Sequence, residues 1–261
     1  MSTFTEIENE AIKIGIGNTP LYKIDNTGIY AKLEYYNKFK SVKDRASFFM
    51  IDYALKTGSL KKWQTIIEAS SGNTGIAIAG ISKFMGIKSE IVIPETAPEA
   101  TQEILAEYGA TVVTTPGSST ENSINYIDNL VKLNPEKYYR IGQHENELNS
   151  MAHYYGTGPE ISRELNHIDH IVVGIGTGGT ITGLSRYFKE KYDVEVTGVL
   201  PAEGSHIVGL RNPYVSNHRK ILEIYKDYID NFVTVTEDEA YEGVKELNEK
   251  YRLLCWPIIG C

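Results

Sequence analysis

Short runs of β-branched and apolar residues alternate along the chain with longer segments in which apolar positions recur every three or four residues. The first pattern is typical of buried strands and the second of amphipathic helices. The predicted strands are residues 29–33, 65–68, 90–93, 111–114, 171–173, 195–200 and 232–235, and the predicted helices are 44–56, 73–84, 98–107, 119–133, 179–191 and 237–250. This alternation predicts βαβ units with parallel sheets, and therefore an α/β fold.

The predicted helices carry recognisable end signals. Gly86 and Gly109 each follow a predicted helix, where a left-handed glycine commonly ends it. Thr236 precedes the last predicted helix with Glu239 three residues on, which is the spacing of a capping box. Because the sequence contains no Pro/Gly/Ser-rich linker, we expect any second domain to be inserted between parts of the first.

The composition is that of an ordinary globular protein: 261 residues, 41% of them apolar, are enough for one large or two modest domains. The 26 Lys and Arg against 34 Asp and Glu give a net charge of −8. Because Lys and Arg are not clustered, we expect neither nucleic acid nor a membrane as a partner. Cys255 and Cys261 form neither a disulfide framework nor a metal-binding pattern. The cysteine spacing therefore predicts no metal site. Because the sequence starts without an apolar or Arg-rich leader, we predict a cytoplasmic protein.

The first segment with candidate chemistry, residues 40–45, opens a predicted helix. Such a charged run is typical of a solvated turn in which Asp44 meets the positive end of the helix dipole. The same dipole disfavours the protonated amine of Lys43, and Schiff-base chemistry with a carbonyl cofactor needs a neutral amine. Both interpretations stay open for this segment alone.

The second segment joins the strand 65–68 to an apolar helix. It combines hydroxyl, amide and glycine residues in Ser70, Ser71, Gly72, Asn73, Thr74 and Gly75. A helix cap needs one such side chain, so this loop has more donors than capping requires. Backbone N–H groups and hydroxyls around one helix N-terminus favour a bound carboxylate or phosphate.

The third segment, residues 173–183, again joins a strand to a helix, now through a glycine-rich turn. Its glycines match the dinucleotide-binding fingerprint at Gly174, Gly176 and Gly179. Glu203 follows the next predicted strand, so the spacing is compatible with a nicotinamide cofactor. Interleaved hydroxyls favour instead a cup for one terminal phosphate, and they belong to Thr177, Thr180 and Thr182.

Together these segments resemble the cysteine synthase family, also called O-acetylserine or O-phosphoserine sulfhydrylases, of the fold-type II pyridoxal-phosphate enzymes. The resemblance covers nearly the whole chain and is carried by residues 17–21, 41–45, 70–75, 93–95, 107–110, 156–161, 174–183 and 236–240. It implies an α/β fold of two three-layer domains, like tryptophan synthase β, with a cofactor cleft between them. Residues 1–37 and 147–261 would form the larger, phosphate-binding domain. Residues 38–146 would form a smaller inserted domain with the carboxylate-binding loop.

The resemblance also implies a role for each site residue. Lys43 would form the internal aldimine with pyridoxal 5'-phosphate (PLP) and move the substrate Cα proton, and Asn73 would bond the 3′-hydroxyl of the ring. The cofactor phosphate would be held by Gly176, Thr177, Gly178, Gly179 and Thr180. The substrate carboxylate would be bound by Ser70, Ser71, Gly72, Thr74 and Gln143.

The implied reaction is a β-replacement in which an activated serine loses its β-substituent through an α-aminoacrylate and sulfide adds to give L-cysteine. Arg211 lies in a Leu-Arg-Asn pattern similar to that of the O-phosphoserine-using branch, where it would meet a substrate phosphate; a surface arginine is the alternative. The donor stays open among O-phosphoserine, O-acetylserine and cysteine, as does chemistry like that of cysteine lyase or cystathionine β-synthase. The resemblance further implies a homodimer and a site that accepts the C-terminal tail of serine acetyltransferase.

Two parts of the chain depart from the family pattern. Before Lys43, the run Asn37-Lys38-Phe39-Lys40 replaces the usual proline and glycines, and its lysines either add charge near the cofactor or only solubilise the loop. Ile258 replaces the serine that hydrogen-bonds the pyridine nitrogen, and the family's closing helix and strand are missing. We therefore expect a truncated homologue with weak PLP binding, low stability and little activity. The alternative is that dimerisation, or local repacking of Trp256, Ile258 and Ile259, compensates for the loss.

Overall fold

The computed structural model describes residues 2–213 and 220–253. Its strands are β1 (Leu21–Ile24), β2 (Ile29–Lys32), β3 (Thr65–Ala69), β4 (Lys88–Pro94), β5 (Thr111–Thr115), β6 (Tyr138–Arg140), β7 (His170–Gly174), β8 (Glu195–Pro201) and β9 (Asn231–Val235). Its α-helices are α1 (Ser2–Lys13), α2 (Lys43–Thr57), α3 (Asn73–Met85), α4 (Glu99–Glu107), α5 (Thr120–Leu133), α6 (Leu148–Ala152), α7 (Gly158–Glu164), α8 (Gly179–Lys189), α9 (Lys220–Tyr225) and α10 (Glu237–Tyr251). A turn of π-helix, His153–Thr157, joins α6 to α7.

The chain folds into two compact units. The first unit comprises Met1–Ile16 and Asn37–Gly142, and the second comprises Gly17–Tyr36 and Gln143–Cys261. Neither unit is one continuous stretch of chain, because α1 belongs with the elements after residue 37 and the β1–β2 hairpin belongs with the C-terminal half. The chain passes from one unit to the other three times, after residues 16, 36 and 142.

The first unit is built on a four-stranded parallel sheet in the order β5-β4-β3-β6. The helix α5 covers one face, where Ile127 packs with Ile67 and Val92. The helix α3 covers the other face, with Gly75 close to Ile91. A parallel sheet needs helices on both faces because its strands are apolar on both sides. The first unit is therefore a three-layer α/β structure.

The second unit contains a three-stranded parallel sheet in the order β7-β8-β9. The helix α8 covers one face, where Leu184 and Phe188 pack with Val196 of the central strand. The opposite face carries Val172 and Val233, which are 57% and 45% exposed. Within the described residues, this face therefore presents valines to solvent.

The antiparallel β1–β2 hairpin of the second unit packs against α10. Ile24 and Leu33 of the hairpin segment form a buried cluster with Leu253, and Leu247 of α10 packs against that cluster. The capping box predicted at the start of this helix is confirmed, since the Thr236 hydroxyl and the Glu239 carboxylate each accept the other's backbone N–H.

Periodicity predicted most of these elements. All seven predicted strands and all six predicted helices are present with ends within two residues, and Gly86 and Gly109 end their helices with φ of +69° and +75°. The prediction missed α1, β1, β6, α6, α7 and α9. The strands β1 and β6 have only four and three residues, too few for a clear alternation. The predictions for Cys255, Trp256, Ile258, Ile259 and Cys261 lie outside the described residues.

No helix in the described ranges combines the length and apolarity that a transmembrane span requires.

Two glycines allow α8 to lie close to the segment that runs from α6 to α7. A Cβ added to Gly183 would overlap the Ser150 carbonyl and would lie 2.6 Å from the Cβ of His153. A Cβ added to Gly158 would lie 2.6 Å from the Tyr187 ring. These separations are shorter than real Cβ contacts, so the two segments pack this closely only because both positions lack a side chain.

We predict that Gly183→Ala lowers the free energy of unfolding by about 1–3 kcal/mol, because the added methyl group has to displace backbone. The matched control is Gly243→Ala in α10, where nothing lies within 4 Å of an added Cβ. That substitution is expected to raise stability by about 0.5–1 kcal/mol, since alanine loses less backbone entropy. Urea unfolding of both variants measures the difference. Equal changes in the free energy of unfolding would contradict the close approach of α8 to the α6–α7 segment.

Candidate active site

Lys43 is the first residue of α2, and the turn before it is held by a buried carboxylate. Asp44 is fully buried and accepts the backbone N–H of Phe39 at 2.6 Å and the hydroxyl of Ser41 at 3.3 Å. The hydroxyl oxygen of Ser41 in turn accepts the backbone N–H of Lys43 at 3.2 Å. These bonds set the direction in which the chain enters α2, and so the position from which the Lys43 side chain leaves the backbone.

The run that replaces the family's proline and glycines forms a turn of its own. Lys40 adopts a φ of +72°, a left-handed conformation that glycine takes more readily. The Phe39 ring lies against α3, where a Cβ on Gly80 would overlap it. Lys38 and Lys40 are exposed, and the Lys38 amine lies 5.4 Å from the ring centre of Phe84. A buried aromatic ring thus anchors this turn.

The loop between β3 and α3 is shaped by the Ser70 side chain. Its hydroxyl oxygen accepts the backbone N–H of Gly72 at 3.4 Å and that of Gly75 at 3.1 Å. A Cβ on Gly75 would overlap the Ser70 carbonyl, so the loop folds back closely on the helix. Gly72 is the N-cap residue and contributes no side chain to the helix N-terminus. The N-terminus of α3 therefore has a polar rim that suits an anion.

The loop between β7 and α8 is confined by close approaches of other backbone and side-chain atoms. A Cβ on Gly176 would overlap the Gly209 carbonyl, and a Cβ on Gly179 would overlap the Asn149 amide. Gly178 has a φ of +87°. Glycine at these positions lets the backbone turn into α8 without side chains on its approach, which is the form of a phosphate-binding loop. The loop therefore fits the phosphate of PLP.

Two buried polar side chains that sequence reasoning missed support this loop. The Asn149 amide nitrogen donates to the Gln143 carbonyl at 2.8 Å and to the Thr177 hydroxyl at 2.9 Å. The two ring nitrogens of His153 lie 2.9 Å and 3.2 Å from the hydroxyls of Thr157 and Thr180. The sequence contains one signal for them, namely polar residues at helical spacing at 149, 150, 153 and 157. In the structure these four side chains are buried, so this polar helix face points inward.

Arg211 lies beside the same loop. Its backbone N–H donates to the Ile175 carbonyl at 2.8 Å. Its guanidinium is half-buried, and this burial lowers the pKa of the Arg211 side chain by disfavouring the charged form. Among the described residues, the Arg211 side chain has no hydrogen-bond or ion-pair partner. A partly desolvated guanidinium in this state is suited to binding an anion.

The structure thus groups the predicted site residues within each unit. In the first unit, Lys43 begins α2 and residues 70–74 lead into α3, and these two helices pack together. In the second unit, Asn149 connects Gln143 to the loop 176–180, and Arg211 flanks that loop. In the described ranges, no three His, Cys, Asp or Glu side chains are grouped as metal ligands would be. The role of each of these site residues stays a prediction.

Comparison with known proteins gives the family. A family described as pyridoxal-phosphate dependent enzyme matches residues 12–260. Cysteine synthase from Aquifex aeolicus is 37% identical over 248 residues, which cover 90% of this chain and 75% of that protein. Cysteine synthase B from Campylobacter jejuni is 36% identical and covers 92% of this chain and 83% of its own length. The chain belongs to the cysteine synthase family. It is a PLP-dependent enzyme, as the sequence predicted.

Solved structures confirm the predicted fold class. A hydrogen sulfide-producing enzyme from Fusobacterium nucleatum superposes with a TM-score of 0.86 at 33% identity, over 96% of this chain and 86% of that chain. An O-acetylserine dependent cystathionine beta-synthase from Helicobacter pylori superposes with a TM-score of 0.84 at 33% identity, over 100% and 87% of the two chains. The cysteine synthase family member described here therefore has the α/β fold of fold-type II PLP enzymes.

We predict that Asp44→Ala lowers the free energy of unfolding by about 1–3 kcal/mol, because the N–H of Phe39 loses its buried acceptor. We also expect it to lower PLP occupancy, since the turn that positions Lys43 loosens. Asp52→Ala on the same helix is the control: it removes a solvent-accessible pair with Lys56 that spans one helical turn, worth about 0.2–0.5 kcal/mol. Urea unfolding and the visible absorption of bound PLP measure both effects; an Asp44→Ala variant as stable as Asp52→Ala would contradict this account of the turn.

Proposed function

We propose that this enzyme makes L-cysteine from an activated serine and sulfide by PLP-dependent β-replacement. The observation that carries the proposal is that each unit contains its own strand–loop–helix N-terminus suited to an anion, at α3 in the first unit and at α8 in the second. An amino-acid substrate and PLP each bring an anionic group, a carboxylate and a phosphate. Two separate anion sites match that pair of ligands.

The chemistry of the reaction is divided between the cofactor and the chain. Bound PLP supplies the electron sink that allows the β-substituent of the substrate to leave and sulfide to add. Gly176, Gly178 and Gly179, with the hydroxyls of Thr177 and Thr180, hold the cofactor phosphate at the N-terminus of α8. Asn73 orients the ring by a bond to its 3′-hydroxyl.

Lys43 has two tasks in this proposal. Its amine would hold the cofactor, and the same amine would take the proton from the substrate Cα and later return a proton there. A base that stays within reach of Cα has to be held firmly, which is the function we infer for the turn fixed by Asp44 and Ser41.

The substrate carboxylate is assigned to the N-terminus of α3. There Ser70, Ser71, Gly72 and Thr74 offer hydroxyls and backbone N–H groups, and the positive end of the helix dipole favours the negative charge. Gln143 completes this set. Holding the carboxylate fixes the Cα–H bond of the substrate relative to the base.

We infer that the donor is O-phosphoserine, because the guanidinium of Arg211 is half-buried and lacks a partner among the described residues. A phosphate dianion gives such a group two charge-assisted hydrogen bonds, and an acetyl ester gives it none of comparable strength. O-Acetylserine is the alternative donor, since the Helicobacter pylori relative is described as O-acetylserine dependent.

A second candidate activity is β-elimination from cysteine with release of sulfide. The likeness to the hydrogen sulfide-producing enzyme, at a TM-score of 0.86, favours it. Both activities use the same groups at Cα and differ in whether a nucleophile adds before the product leaves. Cysteine formation from donor and sulfide, measured beside sulfide release from cysteine, distinguishes them.

We infer further that the enzyme acts in the cytoplasm as a homodimer and that its carboxylate site accepts the C-terminal tail of serine acetyltransferase. A peptide carboxylate needs the same N–H and hydroxyl donors as the substrate carboxylate. Inhibition by a peptide with that C-terminus, competitive with the amino-acid donor, would support the shared site; sedimentation gives the number of chains.

We predict that Lys43→Ala abolishes both the visible absorption of bound PLP and cysteine formation, because the other amines of this turn, those of Lys38 and Lys40, belong to exposed side chains. Lys38→Ala is the control, since Lys38 is exposed and lies over the Phe84 ring. It is expected to keep both signals. The proposed role of Lys43 would be lost if the Lys43→Ala variant kept normal turnover.

We predict that Arg211→Ala lowers kcat/KM for O-phosphoserine by roughly 30- to 5000-fold, as expected for the loss of a desolvated charge pair worth about 2–5 kcal/mol. Turnover of O-acetylserine is expected to change by less than about threefold, because that donor has no phosphate. Arg163→Ala, at an exposed position of α7, is the control. Equal losses of kcat/KM for both donors would show that Arg211 does not bind the substrate phosphate. Weaker PLP binding in the variant would instead assign Arg211 to the cofactor phosphate.

A further inference from the structure

The hydrogen bonds of the Thr177 hydroxyl leave only its hydrogen available. Its oxygen accepts the Asn149 amide N–H at 2.9 Å and the backbone N–H of Gly179 at 3.4 Å. A hydroxyl has two acceptor lone pairs and one donor hydrogen. With both lone pairs occupied, the O–H points away from Asn149 and Gly179.

The orientation of the Asn149 amide is itself fixed. Asn149 is 2% exposed, and its nitrogen uses one hydrogen on the Gln143 carbonyl, at 2.8 Å, and the other on Thr177. Its oxygen lies against Gly179, in the space that a Cβ there would need. A flipped amide would set its oxygen against the Gln143 carbonyl and lose that bond, so the observed orientation is preferred.

We propose that Asn149 is a positioning residue that turns the Thr177 hydroxyl hydrogen toward the cofactor phosphate. Asn149 acts on the phosphate through Thr177. Its second hydrogen bond, to the Gln143 carbonyl, fixes the distance between Gln143 and the loop. This inference rests on the proposed function in one respect, namely that the loop 176–180 holds the phosphate. It assigns a cofactor-binding task to a residue on α6, outside the glycine-rich loop.

The test compares PLP with pyridoxal, which has the same ring and no phosphate, in the full chain stripped of its cofactor. Asn149→Asp preserves the side-chain shape but replaces the donor by an acceptor that takes the Thr177 hydroxyl hydrogen for itself. We expect the dissociation constant for PLP to rise roughly 10- to 100-fold, as for loss of a hydrogen bond to a charged group. Asn149→Ala, which leaves the hydroxyl free to rotate, is expected to have a smaller effect. Affinity for pyridoxal is expected to change by less than about twofold in either variant.

Ser150→Ala is the matched control. Ser150 is the next residue of the same helix, is fully buried, and accepts the Thr182 hydroxyl at 2.9 Å. The single hydrogen of the Thr182 hydroxyl also has the carbonyls of Gly178 and Gly179 within reach, at 2.7 Å and 3.1 Å, so the loss of the Ser150 acceptor leaves it with another. This variant changes the packing of α6 on α8 without touching Thr177. Its preference for PLP over pyridoxal should equal that of the wild type.

A double-mutant cycle tests whether Asn149 acts through Thr177. In a Thr177→Val background no hydroxyl remains to orient, so Asn149→Asp should weaken PLP binding by less than about threefold further. If the two substitutions multiply their effects instead, Asn149 acts independently of Thr177 and the proposal is wrong.

Other outcomes are equally decisive. If Asn149→Asp lowers the affinities for PLP and pyridoxal equally, Asn149 contributes only to packing and the proposal is wrong. Inorganic phosphate is a second probe: it should raise the melting temperature of the stripped wild type and of Ser150→Ala, but not that of Asn149→Asp, and equal rises would overturn the proposal. A wild type that prefers PLP over pyridoxal yet makes no cysteine would refute the proposed function and leave this inference standing.

Discussion

The close approach of neighbouring chain segments around the N-terminus of α8 is the constraint on which the candidate cofactor site depends. Gly176 lies against the Gly209 carbonyl and Gly179 against the Asn149 amide, with no space for a side chain at either glycine. Packing this close leaves the backbone of the loop between these two glycines little freedom to move. The same constraint places Arg211, whose N–H pairs with the carbonyl directly before Gly176.

Anion recognition in this acidic chain depends mainly on neutral donors. A net charge of −8 repels anionic ligands at long range. The loops before α3 and α8 instead offer N–H groups and hydroxyls, and the field of a helix N-terminus acts over about one turn. Selection therefore depends on fit to the shape of a carboxylate or phosphate. Arg211 is the charged exception, and its burial makes it costly to leave without an anion.

Local pattern was sufficient for the strands, the long helices and the two loops, because apolar periodicity and clusters of Gly, Ser and Thr are visible within a dozen residues. It failed for α6 and for the π-helical turn that follows it, whose inward-facing side chains include Asn149 and His153. Their partners, Thr177 and Thr180, lie far along the chain, so no local pattern reveals the pairing. The burial of Arg211 likewise arises from packing, which a sequence motif does not encode.

The hairpin–helix cluster has a consequence for synthesis on the ribosome. Ile24 and Leu33 emerge early, whereas their partner Leu247 follows more than 200 residues later. At typical bacterial and eukaryotic elongation rates of about 5–20 residues per second, the apolar side of the hairpin stays without its partner for roughly 10–40 seconds. The first unit can complete its sheet and helices during that interval. The nascent second unit therefore offers chaperones a binding surface that the finished protein no longer shows.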